Sequence, residues 1–111
     1  MNNLKDDAYY LDKILTDLRF IQKHMDGVSK NDLKANEVLF DSMSFRLVQV
    51  SENSKHLSAE FKASHATIPW VEIAGLRNRI VHDYGNVDFS VVYDTLVGDV
   101  PNLITELTRG N

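Results

Sequence analysis

Apolar residues recurring at three- and four-residue steps, with no sustained period-two alternation, most limit what this chain can fold into. Leu11, Ile14, Leu15, Leu18, Ile21 and Met25 form such a stripe, which predicts an amphipathic helix from Asp6 to Met25 with one face on a core. Asp26-Gly27 ends it, because glycine accepts the left-handed backbone just past a helix, and Ser29 three residues before Asp32 caps a short second helix. Phe40, Met43, Leu47, Val50, Leu57 and Phe61 predict one long helix over Asn36 to Ser64, its seam interrupted only by Ser54. A mixed stripe on the same segment, Phe45, Val48, Glu52 and His56, reads as solvated surface, with a partner subunit or a site as the alternative. Pro69 suits a first helical turn, whose amide hydrogens lack intrahelical acceptors. The helix it opens turns Trp70, Ile73, Leu76, Ile80 and Val81 inward and stops at Gly85-Asn86. Ala74-Gly75 within it predicts close approach of another backbone. Asp88 caps a last helix striped by Val92, Leu96, Val100, Leu103 and Leu107, which Pro101 kinks or splits near Asp99. Phe89 to Tyr93 is the best strand candidate, and Asp88 before it fits a helix cap better. The pattern predicts an all-α, antiparallel four- to five-helix bundle forming a single helical domain over residues 1–111.

Composition narrows the chemistry. With 111 residues and no cysteine, the chain can bury one core, and disulfide frameworks, thiolate zinc sites and cysteine nucleophiles are excluded. His24, His56 and His65 lack metal-ligand spacing, and no glycine-rich phosphate loop occurs, so neither metal nor cofactor is expected. The amino-terminal residues carry no signal-peptide pattern and no segment is apolar for the roughly 20 residues a bilayer span needs, so a cytoplasmic location without membrane contact is expected. A net charge of −4 disfavours a protein that coats nucleic acid. Any RNA contact is then local, with Arg77 and Arg79 as its positive cluster, which pairing two chains about a twofold axis would double.

The chemically dense stretch is Leu76-Arg77-Asn78-Arg79-Ile80-Val81-His82-Asp83-Tyr84. At about 100° per residue, Arg77 and Tyr84 share one helical face while Asn78 and His82 share the neighbouring one. A guanidinium matches phosphate oxygens, an imidazole exchanges a proton near neutral pH, and an amide orients either. RNA carries its own nucleophile, the 2′-hydroxyl, so a base and a cation suffice for cleavage without a metal. His82 is the candidate base and Arg77 the electrostatic stabiliser. Arg77 and Arg79 would lower the imidazole pKa, whereas Asp83 and the helix C-terminus would raise it. A general acid is supplied if a second His82 faces the first across a dimer. The competing explanation is structural: Arg and His in a last helical turn complement the macrodipole, Tyr84 then stands at the core edge, and Asn78 lies on the surface.

The order Arg77-Asn78-Arg79-Ile80-Val81-His82-Asp83-Tyr84 resembles the Arg-Asn-x-x-x-His-x-Tyr signature of HEPN-domain ribonuclease toxins of the HepT type. Ile68 to Leu76 before it, Val87-Asp88 after it and Leu57 to Phe61 upstream resemble that family's flanks, so the likeness runs from the first helix to Leu107. Gly85-Asn86 stands where an aromatic and a glycine are common, and Ser51-Glu52-Asn53 replaces a usual Gly-Glu-Ala. The resemblance implies an all-α fold, a homodimer with both motifs at a shared cleft, and a metal-independent endoribonuclease that restrains growth. It also implies a minimal nucleotidyltransferase antitoxin as partner, which silences the toxin by transferring AMP to the motif tyrosine, here Tyr84. On that reading Arg77 and His82 are catalytic, Asn78, Arg79 and Asp83 support them, and Tyr84 is the modification site. The alternatives are a non-catalytic helical subunit that binds a nucleotide or substrate for a nucleotidyltransferase, and a purely structural dimer.

Overall fold

The computed structural model describes residues 6–82 and 89–109. Helices α1 (Asp7–Met25), α2 (Lys30–Ala35), α3 (Glu37–Ser54), α4 (Ala59–Ser64), α5 (Trp70–His82), α6 (Phe89–Asp94) and α7 (Val100–Thr108) follow in order, with a π-helical turn at Thr95–Asp99 and no strand among the described residues. The bundle is all-α, as the periodicity predicts. Helix α3 is its centre, packing on α1 along one side and on α5 along the other, while α7 lies against α1.

The first stripe is buried as expected: Ile14, Leu18 and Ile21 of α1 meet Met43, Leu47 and Val50 of α3 in the core, each such side chain contributing about 1.5–3 kcal/mol by leaving water. Local signals set the ends. The Asp6 carboxylate accepts from Tyr9 N–H at 3.0 Å, Gly27 takes φ 74°, and Ser29 and Asp32 exchange the two bonds of a capping box. Pro101 has no amide hydrogen to offer the carbonyl four residues back. The chain bulges just before it, and Val100 N–H bonds Thr95 O, five residues back.

The long helix expected over Asn36 to Ser64 is instead broken at Lys55–Ser58. The amides of Lys55, His56 and Leu57 each reach back only three residues, and Ser58 begins α4 by accepting from Phe61 N–H. Its own amide and hydroxyl donate to the two oxygens of Asp7, at 2.7 and 2.6 Å. A charged acceptor on α1 thus holds the break open. Beyond it, the Trp70 indole N–H is shared by the carbonyls of Lys62 and His65, which seats the start of α5.

Two expectations about α5 are corrected. Val81 is 46% exposed rather than inward, because Ile73 and Ile80 set the buried line and Val81 lies about 100° past it. Gly75 admits no close neighbour: a Cβ there would meet nothing within 4 Å. The intimate contact falls one residue earlier, through the Ala74 carbonyl. The expected Gly85-Asn86 stop and Asp88 cap lie outside the described residues. No described helix is long and apolar enough to cross a membrane.

Candidate functional site

Arg77 sits on the flank of α5 that faces α3, and α3 grips it at two levels. Ser51, wholly buried, puts its hydroxyl between the helices. That hydroxyl donates to Ala74 O at 3.0 Å and accepts from Arg77 N–H at 3.1 Å. A buried hydroxyl without such partners would cost about 1–3 kcal/mol, so the bridge fixes the register of α3 against α5 at Arg77. One residue on, the Glu52 carboxylate stands 3.6 Å from Arg77 Nε and 3.2 Å from Lys55 Nζ. Arg77 Nη1 donates to Asn78 Oδ1 at 3.1 Å. Both partners of the Arg77–Glu52 pair are part exposed, 40% and 44% at the side chain. At that exposure and distance the pair is weak, and a phosphate can compete for it.

The other motif positions separate. Asn78 is exposed and touches Arg77. Arg79, turned by about 160° from Arg77 around the helix, lines a groove of about 480 Å³ with Thr95, Asp99 and Leu103; it does not join Arg77. His82 is the last residue of α5, five positions beyond Arg77 and hence about 7.5 Å further along the axis. Asp83 and Tyr84 lie outside the described residues. Among the described residues no group of three His, Asp or Glu could hold a metal ion.

Glu52 is the site residue that the motif omits. Its signal was the mixed stripe of Phe45, Val48, Glu52 and His56, which the structure divides. Phe45 faces solvent at 59% exposure, His56 stacks on Tyr10, and Glu52 alone turns to Arg77. What the arrangement offers chemically is a half-exposed guanidinium, flanked by a carboxylate at Nε and bonded through one Nη1 hydrogen, with the rest of its Nη end uncommitted among the described contacts. Such an end matches two oxygens of one phosphate.

Comparison with known proteins points the same way. The family described as Ribonuclease HepT-like matches residues 14–109. A protein of Caldanaerobacter subterraneus subsp. tengcongensis whose name marks it as a candidate RNase is 31% identical over 100 residues, 90% of this chain and 89% of its own length. One of Thermococcus cleftensis named probable ribonuclease HepT is 29% identical, over 85% of this chain and 86% of its own. A Methanocaldococcus jannaschii protein named for a gamma-glutamylcyclotransferase and a candidate RNase is 28% identical over 95% of this chain, which spans 47% of it. No solved structure matches.

Proposed function

This chain belongs to the HepT-like ribonuclease family and is an endoribonuclease of that HEPN type, and from that premise we propose that it is the toxin of a toxin–antitoxin pair and cleaves RNA without a metal through Arg77 and His82. His82 takes the proton of the ribose 2′-hydroxyl, the 2′-oxygen bonds to phosphorus, and the P–O5′ bond breaks to leave a 2′,3′-cyclic phosphate and a 5′-hydroxyl. Arg77 stabilises the charge that builds on the non-bridging oxygens. The observation that carries this reading is the Arg77 guanidinium: anchored to α3, half exposed, and on the same helix as His82.

The leaving 5′-oxygen needs a proton, which the His82 of a second chain supplies across a homodimer. The outward face of α5 supports that pairing. Val71, Ala74, Asn78 and Val81 follow at steps of three, four and three, the spacing of a helix-pairing seam, and Val71 and Val81 are 86% and 46% exposed. Arg77 and His82 flank the seam, so pairing there brings both motifs to one cleft. Tyr84 is the regulatory position. AMP added to it by a minimal nucleotidyltransferase antitoxin brings a phosphate that competes with RNA for Arg77.

Purified protein incubated with RNA and a chelator tests the reading. Cleavage to 2′,3′-cyclic phosphate ends is expected, lost in His82→Ala without unfolding; intact RNA with the unmodified wild-type chain defeats it. Intact mass after co-expression with a minimal nucleotidyltransferase tests the silencing, one adenylate at Tyr84 being expected and an unmodified, active chain counting against it.

A further inference from the structure

The family motif supplies the arginine but not what aims it. A free arginine side chain samples many rotamers, and ordering it costs up to about 2 kcal/mol of side-chain entropy. Rate depends on a guanidinium standing at the right place and angle when charge develops on phosphorus. In this chain the ordering comes from α3. Ser51 holds the Arg77 backbone, and Glu52 meets Nε at 3.6 Å. Asn78 takes one Nη1 hydrogen; of the two Nη2 hydrogens one lies on the same edge as Nε–H and the other points to the outer end of the fork, where it is uncommitted among the described contacts. The Glu52 oxygen involved, Oε2, also lies 3.2 Å from Lys55 Nζ, so the carboxylate has a cation on either side.

Building on the ribonuclease reading, we propose that Glu52 is a positioning residue for cleavage: by occupying the Nε edge of Arg77 it selects the Nη end as the one that meets the scissile phosphate. The carboxylate touches no reacting atom in this role. It also carries a cost, since a negative group one guanidinium away from the phosphate repels substrate, and Lys55 offsets part of that charge. Positioning and repulsion predict opposite results on removal. Loss of aim lowers kcat, whereas loss of repulsion lowers KM.

The test compares full-length wild type, Glu52→Ala and Glu52→Gln in steady-state cleavage of a short RNA, with thermal unfolding of each. Glu52→Ala is expected to lower kcat about tenfold, a modest share of what misplacing a catalytic group can cost, with KM unchanged or lower. Glu52→Gln, which keeps an oxygen acceptor for Nε, is expected to recover most of that loss, to within about threefold of wild type. In an Arg77→Lys background, where there is no Nε–H to hold, Glu52→Ala is expected to add nothing, the non-additivity that marks one working unit. A parallel readout needs no turnover: the Arg77 side-chain Nε–H resonance is expected to be sharp and ordered in wild type and Glu52→Gln and averaged in Glu52→Ala. Glu52→Ala with wild-type kcat, Glu52→Gln as slow as Glu52→Ala, or an Nε–H resonance equally mobile in all three overturns the proposal. If the wild type leaves RNA intact, the ribonuclease reading falls alone, and the resonance still decides whether Glu52 orients Arg77.

Discussion

Helix α3 faces two arginine–carboxylate pairs, one on each side, and they differ in almost every physical respect. Toward α1, Arg46 of α3 donates through Nη1 to Asp17 at 2.7 Å, with side chains only 28% and 11% exposed. Its guanidinium also lies 3.7 Å above the Phe20 ring, so it is shielded and held from two directions. Toward α5, Glu52 meets Arg77 at 3.6 Å with both side chains near 40% exposed. The first arginine has little left to give a ligand, and the second has most of its fork uncommitted among the described contacts. The same two residue types therefore build a clasp on one side of α3 and an open, half-exposed pair on the other, and distance and solvent access decide which.

The comparison breaks first on activity. Arg77→Ala and His82→Ala are expected to lower RNA cleavage by roughly 10²–10³, the size of losing one electrostatic or proton-transfer group, with unfolding midpoints close to wild type, a change of about 0.5 kcal/mol or less. A large loss of stability in either would place these residues with the clasp instead. Arg46→Ala tests the converse. Removing it strands the Asp17 carboxylate at 11% exposure, which is expected to cost about 2 kcal/mol in urea or thermal unfolding, with kcat per folded molecule unchanged. Cleavage that falls in proportion more than the folded fraction would erase the distinction between the two sides.

A smaller effect sharpens the α1 side by pH. The Ser58 hydroxyl, then the Ser58 amide, hold the Asp7 carboxyl below its ordinary range, with nearby Lys62 acting in the same sense against the opposing effect of burial. A carboxyl whose folded pKa is depressed stabilises the fold above its unfolded pKa, and that contribution is lost as pH falls through the folded value, which here lies below the ordinary carboxyl range. Asp7→Asn is therefore expected to lower stability at pH 7 by about 1 kcal/mol or less, the bonds being partly solvated. Wild type and variant should converge as pH falls through the depressed folded pKa of Asp7. Equal stability at pH 7 would show that the Asp7–Ser58 contact does not hold the turn between α3 and α4.

What could be read in advance was what neighbours in sequence decide. The stripes of α1 and α3, the Ser29–Asp32 box, the left-handed Gly27 and the break before Pro101 all follow from residues within a few positions of one another. The missed features depend on partners far along the chain. The helix break at Ser58 is fixed by Asp7, 51 residues away, and no local propensity of Lys55 to Leu57 requires it. Arg46 finds Asp17 across 29 residues. The motif named Arg77, yet the carboxylate that stands beside it across α3 and α5 belongs to Glu52, 25 residues earlier, whose place in a half-apolar stripe did not say which neighbour it would meet. Val81 was misjudged because Ile80 and Val81 are adjacent and equally apolar, and only the line of contact with α3 chooses between them.

The smallest effect concerns the second arginine of the motif. Arg79 has the same charge as Arg77 and lies two residues on, so composition alone makes them a cluster. The helix separates them, and Arg79 stands among Thr95, Asp99 and Leu103 on the opposite flank. From there its charge reaches bound RNA mainly through solvent, where a screening length of about 8 Å at physiological salt leaves little of it. Arg79→Ala is thus expected to raise KM about two- to threefold at low salt, to leave kcat alone, and to match wild type near 0.3 M salt, as a distant phosphate attraction does. A kcat loss comparable to that of Arg77→Ala would mean that RNA, or a second chain, wraps α5 far enough to use both flanks, and the division drawn across α3 would then have to extend around α5 as well.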